Sequence, residues 1–185
     1  MRKPDGYDEA KSSTFIPDGA YEILIIDAGE VEVEGKKKLK IKFDIADGDF
    51  KGYYSNKYKY QLKHPWENHK VEWKGTFYTP TEGKGVYLLT KLIDAIEKSN
   101  PPFHFEFKDN SEKSLKGKRL GLIFKADSFK NQKGEIVHFV RKTPITLDDL
   151  KAKTNTATQG EKNTQNSNEN DDLFVENVDE LDIPF

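Results

Sequence analysis

Cysteine is absent from this chain, which removes disulfides and thiolate metal sites from consideration. Histidine is scarce: His64, His69, His104 and His138 are the full set. His64 and His69 lie near each other, but no third ligand stands at metal spacing, so neither a metal nor another cofactor is expected. Long apolar runs are missing as well. No stretch approaches the roughly 20 apolar residues of a membrane span. The opening MRKPDGYDEAKSSTF carries charges without the apolar centre of a signal peptide. The expectation is a cytoplasmic protein that makes no membrane contact.

What is present is polar and unevenly distributed. Apolar residues make up 35% of the 185 and charged residues 34%, so a packed core must draw on a concentrated part of the chain. One stretch has nothing to offer it. KAKTNTATQGEKNTQNSNEN, residues 151–170, contains no large apolar side chain and reads as a flexible linker. The expected organisation is a domain over 1–150, the linker over 151–170 and an acidic tail over 171–185. From Glu161 onward there are eight acidic residues and one basic, a net −7, which leaves +5 on the first 160. A basic body with an acidic tail points toward nucleic acid on one part of the molecule.

Period-two alternation dominates the body. AYEILIIDAGEVEVEG reads as a long first strand from Ala20 to about Glu34, with a bulge or bend at Gly29. In LKIKFDIADG, Leu39, Ile41, Phe43 and Ile45 face one way, while Lys38, Lys40, Lys42 and Asp44 face the other. FKGYYSNKYKYQ is expected as a third strand, and VEWKGTFY (Val71 to Tyr78) as a short strand within an insertion. The period then changes. Leu88, Leu89, Leu92, Ile93 and Ile96 recur at helical spacing, and Asn100-Pro101-Pro102 ends that helix. Strands over Arg119–Phe129 and Gly134–Pro144 follow, then a short helix from Thr146 to about Lys151, capped by Thr146. Three strands, a helix and two strands is the element order of the OB-fold, a mainly β, five-stranded Greek-key barrel that binds oligonucleotides or oligosaccharides. Another β-sandwich with one helix has the same order.

On such a barrel Lys38, Lys40 and Lys42 project outward, and Lys36 and Lys37 extend the row into the hairpin. The third strand alternates Tyr53, Ser55, Lys57 and Lys59 against Tyr54, Asn56, Tyr58 and Tyr60, and the lysine-bearing row is the expected outer one. The insertion interleaves Trp66, Trp73, Phe77 and Tyr78 with Lys63, Lys70 and Lys74. Lys125 and Arg141 add positive charge on the last two strands. The nucleic-acid-binding set is therefore Lys38, Lys40, Lys42, Tyr53, Lys57, Lys59, Trp66, Trp73, Tyr78, Lys125 and Arg141. Single strands need this mixture, because cations track the phosphates while rings stack on unpaired bases. Lysines in alternation are equally the wet face of any sheet, and buried rings are ordinary packing.

An enzyme is not expected. Pro17-Asp18 with Glu34-Gly35-Lys36 has the form of a nuclease carboxylate–lysine signature, whose acids must converge on a metal. Here they stand at opposite ends of one strand, roughly 50 Å apart if it runs straight. EGKGVY (Glu82 to Tyr87) lacks the upstream glycine and the Ser/Thr of a phosphate loop.

The last residues, DELDIPF, are more specific. Asp182, Ile183, Pro184 and Phe185, led in by Asp179 and Glu180, resemble the C-terminal tip of bacterial and phage single-stranded DNA-binding proteins (SSBs). Leu181 replaces an acidic position of that pattern. The linker is not glycine-rich, and the insertion between Gln61 and Tyr87 is long, so the resemblance is nearer to phage or mobile-element SSBs. It implies binding of single-stranded DNA in a bacterial host cell, assembly as a dimer or tetramer, and docking of replication, recombination and repair proteins on the tip. There Phe185 offers a ring to an apolar pocket, and burying it is worth about 1.5–3 kcal/mol. A protein-interaction adaptor whose barrel ignores DNA is the alternative, and RNA is the parallel ligand for the same face.

Overall fold

The computed structural model describes residues 16–64, 70–131 and 134–157, with side chains through residue 153. Its strands are β1 (Gly19–Val33), β2 (Lys36–Ile45), β3 (Thr76–Pro80), β4 (Arg119–Lys130) and β5 (Ile136–Ile145). Three α-helices lie among the described residues: α1 (Tyr53–Lys63), α2 (Val86–Ser99) and α3 (Leu147–Ala157). The strands form one antiparallel sheet in the order β3-β2-β1-β4-β5. This mainly β arrangement is compatible with an OB-like barrel. The sheet is not closed by hydrogen bonding, because β3 and β5 remain its edges.

Alternation explains the central strands. Ile23 and Ile25 on β1, Leu39, Ile41, Phe43 and Ile45 on β2, and Leu120, Leu122 and Phe124 on β4 all point into the core. Each is worth about 1.5–3 kcal/mol of burial. A two-residue turn at Glu34 and Gly35, both with positive φ, joins β1 to β2. The irregularity in β1 falls between Ile25 and Asp27 rather than at Gly29, which pairs regularly with Lys40. Leu88, Leu89, Leu92, Ile93 and Ile96 make the buried stripe of α2, which packs against β3, β4 and β5. One helix thus covers both edges of the sheet.

A lysine bridges those edges on the inner side. Lys142 of β5 is 3% exposed. Its Nζ donates to the Thr76 carbonyl of β3 at 3.1 Å and lies 5.9 Å from the centre of the Phe43 ring. A carbonyl and a ring face together offset part of the cost of desolvating the ammonium.

The segment expected as the third strand is a helix. Tyr53 and Tyr54 are adjacent and both buried, which a strand facing solvent on one side cannot arrange. Asp44 explains the change. Its buried carboxylate accepts from the backbone N–H of Tyr54 at 2.9 Å and of Ser55 at 3.1 Å, and also from the Ser55 hydroxyl. These are unpaired donors at the start of a helix, satisfied here from another element. Gly52 supplies the left-handed conformation before them, with φ of 72°. The strand expected over Val71–Tyr78 begins only at Thr76.

The final helix begins where expected. Thr146 Oγ1 accepts from the Asp149 N–H at 3.0 Å. It continues to Ala157, into the stretch read as linker. The tail over 171–185 lies outside the described residues.

Candidate nucleic-acid interface

Lys38, Lys40 and Lys42 share the outer face of β2, as alternation predicts, with their stems partly covered. Across the sheet they meet Val31, Gly29 and Asp27 on β1, and Pro80, Tyr78 and Thr76 on β3. The Lys40 ammonium is 5.6 Å from the centre of the Tyr78 ring, within cation–π range. Glycine opposite Lys40 leaves open space beside that pair. Lys42 is 3.7 Å from Asp27. The expected cation-and-ring mixture is therefore assembled at Lys38, Lys40, Lys42 and Tyr78.

Other expected members are placed differently. Tyr53 is 5% exposed, packed edge-on against Tyr54, and belongs to the core instead of offering a free ring. Burial pushes its phenol upward in pKa, and a backbone hydrogen bond with Ile16 partly opposes this. Lys57 and Lys59 lie on α1, not on a strand, and the Lys57 ammonium is 5.9 Å from the Tyr53 ring centre.

Trp73 is a half-buried packing residue. Its indole N–H donates to the Gly75 carbonyl at 2.9 Å and toward that of Phe43 at 3.3 Å. Gly75 is needed at this crowded point, because a Cβ there would fall 2.3 Å from the Phe43 oxygen. Trp66 lies outside the described residues, as do Asp179, Glu180, Asp182, Ile183, Pro184 and Phe185.

Lys125 is exposed on β4 and pairs across the ladder with Arg141 on β5. Arg141 forms an ion pair with Asp127 and is mostly covered, so its charge is already answered. These two stand on the far side of β1 from the β2 lysines.

Three features escaped sequence reasoning. Lys70 and Lys74 were visible only as lysines between aromatics, yet both converge on Glu72, at 3.0 and 3.8 Å. The Lys70 hydrogen bond holds the Glu72 carboxyl below the usual range. The charges of Lys70, Lys74 and Lys40 add to that effect, and slight burial opposes it. Phe129 and Ile136 are exposed on the β4–β5 hairpin, with no signal beyond ordinary strand composition. Lys142 looked like any alternating lysine, because its burial depends on β3.

The nuclease-like residues serve as structure. Asp18 Oδ1 accepts from the Ala126 N–H at 2.8 Å, and Glu34 sits in the hairpin turn. Among the described residues no group of three or more His, Asp or Glu side chains could hold a metal ion. No helix there is long and apolar enough to cross a membrane. No protein-family model matches the chain, and no curated protein matches it.

Proposed function

We propose that the chain is an OB-type single-stranded DNA-binding protein of bacterial or phage SSB kind, gripping the strand on the outer face of β2 and β3. In this reading it works in the bacterial cytoplasm and assembles as a homo-oligomer. Its tip, Asp179 to Phe185, recruits replication, recombination and repair proteins. The observation that carries the DNA half is the Lys40–Tyr78 pair within the Lys38, Lys40, Lys42 row.

The ring favours a single strand over a duplex. Lys38, Lys40 and Lys42 can answer the phosphates of either, but a base paired and stacked in a duplex has no free face to offer Tyr78. An unpaired base can lie on that ring, a contact worth about 1–3 kcal/mol. The tail half rests on DELDIPF alone.

The test is fluorescence anisotropy of labelled oligo-dT with the intact chain and with a chain cut after Asn170. The intact chain should bind, with a slope of log affinity against log salt near −2 for three neutralised phosphates. The cut chain should bind DNA at least as well and lose its affinity for purified host replication and recombination proteins. Failure to bind oligo-dT in dilute buffer rejects the reading in favour of the adaptor. Preference for oligo-U in competition reassigns the face to RNA.

A further inference from the structure

A carboxylate sits among three lysines beside the β2–β3 face. Glu72 presents one oxygen to Lys70 at 3.0 Å and the other to Lys74 at 3.8 Å. Lys40 lies close enough on β2 for its charge to act on the same group. Glu72 is not on a loose loop. Its N–H donates to the Gln61 side chain on α1 at 3.3 Å. The next residue, Trp73, is tied by its indole to Gly75 and Phe43. The chain thus holds the backbone that carries the carboxylate, while lysines on both sides of it and one on β2 supply the cations.

A carboxylate and a backbone phosphodiester present the same thing to ammonium groups: two terminal oxygens sharing one negative charge. We propose that Lys70 and Lys74, with Lys40 beside them, form a subsite for a backbone phosphate of single-stranded nucleic acid, which Glu72 fills in the free protein. This rests on the nucleic-acid reading of the β2–β3 face and deepens it. An entering strand displaces Glu72 or lies beside its charge, so Glu72 lowers affinity and keeps binding reversible. The Lys42–Asp27 pair differs in number, because there a single lysine meets a single acid, whereas Glu72 gathers two.

The experiment compares intact wild type, Glu72→Gln, and Glu72→Gln with Lys70→Ala and Lys74→Ala added. Each is titrated into labelled oligo-dT over a series of salt concentrations, with thermal unfolding to establish that each is folded. Glu72→Gln should bind about fivefold tighter at low salt, and the gain should fade as screening increases. Adding the two lysine substitutions should abolish the gain. If wild type binds and Glu72→Gln matches it at every ionic strength, the subsite is wrong while the reading of the face stands. A gain that survives loss of both lysines also overturns the subsite, since the triple variant carries one positive charge fewer than wild type and its tighter grip must come from groups elsewhere. If no form binds oligo-dT, the subsite and the reading of the face fall together.

Discussion

β2 and α1 are written in nearly the same alphabet. KKKLKIKFDI and YYSNKYKYQLK both interleave lysine with large apolar or aromatic residues, yet one is a strand and the other a helix. On β2 the alternation is clean as far as Lys42, with one row in the core and the other presenting lysines, and only Asp44 of the lysine row is buried. On α1 it is broken at the start, where Tyr53 and Tyr54 are both buried. Asp44, the last residue before Ile45 ends β2, then reaches across to cap the helix. Alternation decides a strand only where no outside group captures the backbone donors.

The largest expected effect removes that outside group. Asp44→Ala leaves the buried N–H groups of Ile45 and Tyr54 and the partly buried one of Ser55 without their acceptor, and should cost about 3 kcal/mol in denaturant unfolding. Hydrogen exchange should rise first in α1 while β2 stays protected. An unchanged midpoint would mean that α1 holds its shape without the cap.

A smaller effect sharpens the functional side of the contrast. Lys40→Ala should weaken oligo-dT binding about fivefold at low salt, the scale of one close charge pair in water. Lys59→Ala on α1 should leave it nearly unchanged. Equal losses would show that the lysines act as a diffuse field and not as a row on β2.

The smallest effect concerns Tyr53 and high pH. Burial raises its phenol pKa above the ordinary value near 10, so the folded state favours the protonated form. That contribution is complete below the unfolded pKa near 10 and is lost as pH rises through the folded value. Tyr53→Phe should therefore flatten the fall in stability above about pH 10. A mutant that loses stability with pH as steeply as wild type would place the sensitivity elsewhere.

Much of the sheet was legible. β1, β2, β4 and β5 follow period-two runs bounded by turn residues, and α2 follows a five-residue apolar stripe ended by Asn100-Pro101-Pro102. Within the candidate site, Lys38, Lys40 and Lys42 were legible because they lie opposite a core row. Tyr53 was misplaced because the period chosen for its segment was wrong. The partners of Arg141 and Glu72 were not legible, since an ion pair depends on where side chains meet.

Which faces of the long strands and of α2 are apolar is written locally, because those periods follow from backbone geometry over a few neighbouring residues. That 53–63 is helical, that Lys142 spans from β5 to β3, and that Glu72 lies among lysines depends on the folded whole. The reason is separation along the chain. Asp44 acts on a backbone 10 positions away and Lys142 on one 66 positions away, and no local period carries contacts of that range.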